Sequence, residues 1–227
     1  MRPTIRAIAF DAYGTLFDVY CMSELAEEMF PGRGGALTSL WREKQIDYTR
    51  IRTLCGQYKS FWDVTRDALG YAAAALEIDL NEHQRQQLMN QYACLTPYPG
   101  TIEALQALRA AGLPLAILSN GTPAMLDIAV KYCGMGGLFA HVLSADSVRK
   151  FKTAPEVYQL GVDTLALPAA EILFVSANSW DACAATWFGY TTFWINRRQE
   201  PPEALGITPS GTGRSLADVV DFVRGAN

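Results

Sequence analysis

Five short apolar runs are spaced along this chain, and each ends in a polar, turn-forming segment. They occupy residues 5–10, 113–118, 141–145, 171–177 and 191–195. Runs of this length followed by turn signals are typical of buried strands. Helical patterns separate the later runs; one stops at Gly112, and another opens at Thr122 with Pro123 in its first turn. Strands that alternate with helices predict an α/β fold built on a parallel sheet.

The alternation is interrupted after the first strand. Residues 18–96 contain long helical patterns instead, at 37–54, 61–76 and 81–93, and end in the Pro- and Gly-rich segment Thr96-Pro97-Tyr98-Pro99-Gly100. The sequence therefore predicts a Rossmann-like parallel-sheet core, residues 1–17 joined with 97–227, and an inserted α-helical cap domain, residues 18–96. Such an insert would lie over the carboxyl ends of the strands, where open α/β sheets bind ligands.

Charge and composition argue against several classes of protein. The net charge is −4 with no block of like charges, so we expect neither a nucleic acid nor a membrane surface as partner. The first apolar run is too short for a signal peptide and no run approaches a bilayer span, which predicts a cytoplasmic protein. Five widely spaced cysteines indicate neither a disulfide framework nor a zinc knuckle. With His83 and His141 as the only histidines, a histidine-dependent triad or metal site is not expected.

Polar residues follow three of the predicted strands. Asp11 ends the first run, Ser119-Asn120 the second, and Ser176-Ala177-Asn178 the fourth. Because the carboxyl ends of parallel strands share one edge, these residues should converge, and Lys152, just before the helix opened near Pro155, can reach the same edge. A carboxylate would then be surrounded by a cation and hydrogen-bond donors.

Four motifs in order carry a family resemblance. FDAYGTL, LSNG, FKTAPEVY and FVSANSWDA span the α/β core and resemble the motifs of the haloacid dehalogenase superfamily. Most members of that superfamily are phosphatases, which share an aspartate nucleophile, so the resemblance alone leaves the reaction open.

Two departures from the phosphatase pattern narrow the reaction. Tyr13 stands where phosphatases carry a second aspartate as general acid and base, and Ser176, Ala177 and Asn178 stand where they place acidic magnesium ligands, leaving only Asp181. A halide leaves as an anion and needs no proton. The motifs resemble the form found in L-2-haloacid dehalogenases, which implies hydrolysis of small L-2-haloacids to D-2-hydroxy acids without a metal or cofactor.

The resemblance implies a role for each motif residue. Asp11 would attack the α carbon of the substrate in line, giving an aspartyl ester and inverting configuration. Thr15 and Lys152 would hold and aim its carboxylate. Water for ester hydrolysis would be positioned by the set Lys152, Tyr158, Ser176, Asn178 and Asp181. The alternatives from the residues alone are that Asp11 caps a loop, that Asp181 complements the dipole of a helix starting near Ser179, and that Lys152 and Tyr158 face solvent.

Other residues would bind the substrate. Arg42, in LWREKQIDY of the cap, would meet the leaving halide together with Asn120. Ser119 and the Ala12-Tyr13 backbone would bind the substrate carboxylate. The apolar wall around the alkyl group would be formed by Tyr13, Ile46, Phe61 and Trp180. A lone helix arginine is otherwise a surface charge, and aromatic residues at helical spacing are more often plain core.

Two rival functions remain open from the sequence. A magnesium-dependent phosphohydrolase of the same superfamily would release phosphate, and a catalytically inactive relative acting as a binding protein would turn over neither substrate. The resemblance also implies a homodimer. Substrate chain length, defluorination of fluoroacetate and strictness of enantioselectivity depend on pocket dimensions.

Overall fold

A single parallel sheet organises the chain in the computed structural model, which describes residues 4–226. Its strands lie in the order β3-β2-β1-β4-β5-β6. Their bounds are β1 Ala7–Phe10, β2 Leu115–Ser119, β3 His141–Ser144, β4 Ile172–Ser176, β5 Thr191–Ile195 and β6 Gly211–Gly213. The four central strands β2, β1, β4 and β5 are fully buried because helices cover both faces.

The register places the strand ends at one edge. Phe10 of β1 lies beside Ile117 of β2 and Val175 of β4. The backbone N–H of Asp11 donates to Val175 O at 2.9 Å, which extends the pairing one residue past β1. The residues that follow these three strands are therefore brought together.

Alternate residues of β1 face opposite layers, as the period of two in a strand requires. Ile8 and Phe10 belong to the larger hydrophobic core, with α5 Thr101–Ala110 and α9 Leu216–Ala226. Ala7 and Ala9 face a second cluster that contains Val157, Tyr158 and Ala184 of α7 Pro155–Leu165 and α8 Ser179–Phe188. One further core helix, α6 Pro123–Tyr132, opens at the N-cap Thr122, whose side chain accepts from Met125 N.

Four helices form the cap inserted after β1: α1 Met22–Met29, α2 Gly34–Leu54, α3 Phe61–Ala75 and α4 Glu82–Ala93. Ser60 caps α3 by accepting from Asp63 N, and Asn81 forms a capping box with Gln84 at the start of α4. Trp41 of α2 donates its indole N–H to Thr65 O at 2.7 Å, which fixes α2 against α3.

The predicted fold class is confirmed, with three elements added. Elements α1, α9 and β6 were not predicted from the sequence. Strand β6 has no apolar pattern because it is a short edge strand held by pairing with β5 and by close packing: a Cβ on Gly211 would lie 2.7 Å from the Phe222 ring, and one on Gly213 would lie 2.4 Å from Asp218. None of the helices among residues 4–226 has the length and apolar character to cross a membrane.

Candidate active site

Asp11 is a nearly buried carboxylate at the end of β1, only 6% exposed. Its Oδ2 accepts hydrogen bonds from Thr15 Oγ1 at 2.8 Å and from Asn178 Nδ2 at 2.9 Å. Its Oδ1 accepts from Lys152 Nζ at 2.9 Å. Three side chains from three segments of the chain therefore fix the orientation of this carboxylate and replace most of its water. A carboxylate that only capped a loop would not need three side-chain donors, so the loop-cap alternative does not account for Asp11.

The turn after β1 places Thr15. Ala12 O accepts the backbone N–H groups of Thr15, Leu16 and Phe17, and Gly14 supplies a positive φ of 92°. Thr15 Oγ1 accepts from Ala177 N at 2.8 Å, so its own proton is directed to Asp11. The hydroxyl thus connects the first motif to the fourth.

Lys152 lies between two carboxylates and is 1% exposed. Its Nζ is 2.9 Å from Asp11 Oδ1 and 2.8 Å from Asp181 Oδ2. Burial alone would lower the pKa of Lys152, but the two carboxylates outweigh burial and hold the pKa above its ordinary value. The solvent-facing alternative for Lys152 is wrong, and the lysine is charged in the folded protein.

Asp181 lies in the first turn of α8 with no exposed surface. Besides Lys152, it accepts from Tyr158 OH at 2.7 Å and from Ser176 Oγ at 3.1 Å. Burial raises the pKa of Asp181 above the ordinary aspartate value, and Lys152 opposes that rise. Tyr158 is itself buried, and burial beside Asp181 raises its pKa well above the ordinary value, so it acts as a donor here. These contacts go beyond what dipole complementation alone would need.

The residues of this site do not fit a magnesium ion. The position between the two carboxylates is taken by an ammonium group of the protein, and Ser176 and Asn178 act as donors toward carboxylate oxygens. Magnesium needs oxygen acceptors that are free to coordinate it. Over the part of the chain that the structure describes, no group of three or more His, Cys, Asp or Glu side chains could hold a metal ion.

Arg42 reaches the site from α2 of the cap. Its NH2 group donates to Tyr13 O at 3.1 Å and to Asn178 Oδ1 at 3.3 Å, and its NH1 group donates to Gln45 Oε1 at 2.6 Å. All three acceptors are neutral oxygens. The guanidinium therefore joins cap and core beside Asp11 with its charge uncompensated by these partners.

A small cavity opens beside Asp11 between cap and core. Its walls are made by Asp11, Tyr13, Arg42, Ile46, Thr49, Phe61, Ser119, Asn120, Asn178 and Trp180. Asn120 Oδ1 accepts from Lys152 N at 2.8 Å, which leaves the amide Nδ2 as the donor for a ligand. The cavity combines a carboxylate, a cation and neutral donors with an apolar wall.

The residues predicted from the sequence line this cavity or lie directly beneath it, with the exception of Ala12. Its side chain is fully buried and does not line the cavity, so a role for Ala12 depends on its backbone. Thr15, Lys152, Tyr158, Ser176 and Asp181 lie beneath Asp11 rather than in the wall. Tyr13 stacks on Tyr92 with ring centroids 5.6 Å apart and also contacts Phe61.

Four residues around the site were not predicted from the sequence. Thr49 lines the cavity, Gln45 and Tyr92 hold Arg42 and Tyr13, and Arg197 donates to Gly14 O and Thr15 O at 3.0 and 2.7 Å. Gln45 and Thr49 are three and seven residues after Arg42, so helical spacing could have found them. Arg197 follows β5 and carries no comparable signal.

Known proteins match the chain over nearly its whole length. The family model described as haloacid dehalogenase-like hydrolase matches residues 5–189. An (S)-2-haloacid dehalogenase from Pseudomonas sp. (strain YL) is 43% identical over 96% of this chain and 94% of its own length. The chain belongs to the L-2-haloacid dehalogenase family. Its predicted family membership is confirmed.

Solved structures of L-2-haloacid dehalogenases share the whole fold. One crystal structure is 57% identical, with a TM-score of 0.96 over 97% of this chain and 99% of that chain. The L-2-haloacid dehalogenase from Xanthobacter autotrophicus, solved with chloropropionic acid covalently bound, is 36% identical, with a TM-score of 0.92 over 98% of this chain and 99% of that chain. The family likeness therefore extends over the cap as well as the core.

Proposed function

We propose that this protein is an (S)-2-haloacid dehalogenase, which hydrolyses small L-2-haloalkanoic acids to D-2-hydroxy acids and halide through an ester of Asp11, without a metal. The observation that carries the proposal is the cavity in which a nearly buried Asp11 carboxylate, held by Lys152, shares a wall with Arg42. Family membership supports the same reaction.

In the first step an oxygen of Asp11 attacks the α carbon of the substrate. The new C–O bond forms as the carbon–halogen bond breaks, and the bonding electron pair leaves with the halide, so configuration inverts. Arg42 and Asn120 stabilise the departing anion, and Ser119 with the Ala12-Tyr13 backbone holds the substrate carboxylate. The aromatic and aliphatic wall excludes water, which keeps the weak carboxylate nucleophile desolvated.

In the second step water attacks the carbonyl carbon of the Asp11 ester. Asp181 accepts the water proton, and Ser176, Asn178, Lys152 and Tyr158 orient the groups involved. Lys152 Nζ contacts Asp11 Oδ1. When Oδ2 is the attacking oxygen, Oδ1 becomes the carbonyl oxygen of the ester, and Lys152 stabilises the negative charge that develops on it. When the adduct collapses, the bond between the carbonyl carbon and the alkoxy oxygen breaks and the proton held by Asp181 passes to that oxygen, so the product leaves as the hydroxy acid. The second proton of the water is lost to solvent, and the Asp11 and Asp181 carboxylates are regenerated.

The turnover rate should depend on pH in a way set by the buried pair. A raised pKa keeps Lys152 charged up to the ordinary lysine value of 10.5, so its titration should cause no loss below that pH. Because the pKa of Asp181 is raised above 3.8, the base should protonate, and turnover should fall, at a higher pH than an ordinary aspartate would give. Rates of halide release from about pH 4 to about pH 11 at constant ionic strength test this. An acid limb centred at or below the ordinary value would contradict it.

We further propose a core domain of residues 1–17 and 97–227 and a cap of residues 18–96. The two crossings between them lie side by side, because Asp18 N donates to Thr96 O at 2.8 Å. We propose a cytoplasmic location, in keeping with five free thiols.

We also propose that the protein is a homodimer. Its other partner is the haloacid substrate, and it binds neither nucleic acid nor a membrane. Ile51 and Leu54 of α2 and Tyr71 of α3 are exposed apolar side chains on the cap and support the dimer, Leu54 being 86% exposed. Light scattering should give twice the chain mass, and Leu54→Lys should shift the protein to the monomer. A measured mass equal to that of one chain, at micromolar concentration, would contradict the dimer.

The proposed function is tested by assaying two products side by side. Purified protein with EDTA is given L- and D-2-chloropropionate separately, and protein with magnesium is given a generic phosphomonoester. Halide from the L-isomer alone, unaffected by EDTA, is expected. Magnesium-dependent phosphate without halide would establish the phosphohydrolase instead, and turnover of neither substrate would favour the inactive relative.

A further inference from the structure

Gln45 contacts Arg42 directly and is itself buried in the cap. We propose that Gln45 is a positioning residue that fixes the Arg42 guanidinium through a neutral acceptor, so that its full positive charge is kept for the leaving halide. The inference rests on the proposed function, since the halide is the anion that Arg42 would meet.

The orientation of Gln45 is fixed by its partners. Arginine can only donate, so the atom 2.6 Å from Arg42 NH1 must be the carbonyl Oε1. The amide Nε2 donates to Thr65 Oγ1 at 2.6 Å and to Tyr92 OH at 3.0 Å. Thr65 Oγ1 in turn gives its own proton to Phe61 O at 2.7 Å. This chain of hydrogen bonds fixes the position of the Arg42 guanidinium.

The chemistry of the acceptor matters as much as its position. Gln45 is 1% exposed, and a carboxylate at the same place would form a buried ion pair with Arg42. The other acceptors of Arg42 are the carbonyl of Tyr13 and the amide oxygen of Asn178, which are also neutral. A neutral cradle holds the cation without cancelling the field that the halide experiences.

Two variants of similar size separate the charge from the tether. Gln45→Glu keeps an acceptor for Arg42 and adds a negative charge. Tyr92 OH already donates to Gln45 Oε1, at 3.1 Å, and the hydroxyl of Thr65 can turn to donate as well. Gln45→Met removes the acceptor and adds no charge. If Gln45 served only packing, the two variants would behave alike once shown to be folded by thermal unfolding.

Bromide binding, followed by tryptophan fluorescence since Trp180 lines the cavity, gives a readout that needs no turnover. We expect affinity in the order unaltered protein, Gln45→Met, Gln45→Glu, with a loss of about tenfold or more for Gln45→Glu. In turnover, Gln45→Glu should slow 2-chloropropionate more than 2-bromopropionate, because chloride is the poorer leaving group and depends more on Arg42. The change should fall on kcat rather than on KM.

Equal bromide affinity in Gln45→Glu and the unaltered protein, or tighter binding in Gln45→Glu than in Gln45→Met, would overturn the inference. Failure of the proposed function has a different signature. In that case the unaltered protein releases no halide from either isomer, whereas the order of bromide affinities still decides the role of Gln45.

Discussion

Asp11→Asn protein is expected to release halide from L-2-chloropropionate about 10⁴-fold more slowly than the unaltered protein, or not measurably, since an amide cannot supply the attacking carboxylate. The volume of the side chain is preserved, and Lys152 keeps its second partner Asp181 at 2.8 Å. The fold should therefore persist. Initial rates of halide release, with protein concentration raised for the variant, measure the loss.

A matched control shares the same loop. Asp18→Asn changes a nearby carboxylate that accepts from Tyr20 N and does not line the cavity beside Asp11. It should retain turnover within about threefold, as a change outside the site should. Turnover by Asp11→Asn at a rate close to that of Asp18→Asn would rule out Asp11 as the nucleophile.

Lys152→Met is expected to lose turnover and to unfold more easily than any surface variant. The change leaves Asp11 and Asp181, both hydrogen-bonded to the same Nζ, as buried carboxylates without a cation. Removing one partner of a buried ion pair costs about 3–5 kcal/mol. Urea unfolding at pH 7, together with the rate of halide release, measures both effects.

The double variant Lys152→Met/Asp181→Asn distinguishes charge from packing. It removes one of the two unpaired charges and should recover about 1–3 kcal/mol of the lost unfolding free energy, without restoring turnover.

The pH dependence gives a second test of the same variant. Lys152 opposes the rise that burial causes in the pKa of Asp181, so that pKa should rise further in Lys152→Met. The deficit in unfolding free energy of the variant should therefore be largest at neutral pH and shrink as pH falls and Asp181 takes up a proton. A deficit that is independent of pH would mean that Lys152 stabilises by packing alone.

Much of the site was predictable because parallel strands end at one edge. Asp11, Ser119 and Asn178 lie at the carboxyl ends of neighbouring strands, so their convergence was implied by the fold class before any side chain was placed. The motif resemblance added Arg42 and Phe61 of the cap, whose approach to the sheet no periodicity could give. Both line the cavity.

The contacts that hold those residues could not be predicted, because they depend on how separate helices meet. Gln45, Thr65 and Tyr92 come from α2, α3 and α4, and only the packing of three helices brings them into one hydrogen-bonded chain. Arg197 follows β5 and donates to the loop after β1, and its guanidinium carbon lies 3.6 Å from the centroid of the Tyr98 ring. The edge strand β6 likewise has no sequence pattern that predicts a strand. Its residues Gly211 and Gly213 leave no room for a Cβ beside the side chains that pack against them.

The path of oxygen during a single turnover shows whether Asp11 or water attacks the substrate. Protein in excess over L-2-chloropropionate is allowed a single turnover in H₂¹⁸O. The masses of the lactate and of the peptide that contains Asp11 are then measured by mass spectrometry. If Asp11 forms the ester and water then attacks its carbonyl, the lactate carries an ordinary oxygen from Asp11, and the Asp11 peptide gains ¹⁸O. If ¹⁸O appears in the lactate of the first turnover and the peptide stays unlabelled, water attacks the substrate directly, and the account of Asp11 as nucleophile is wrong.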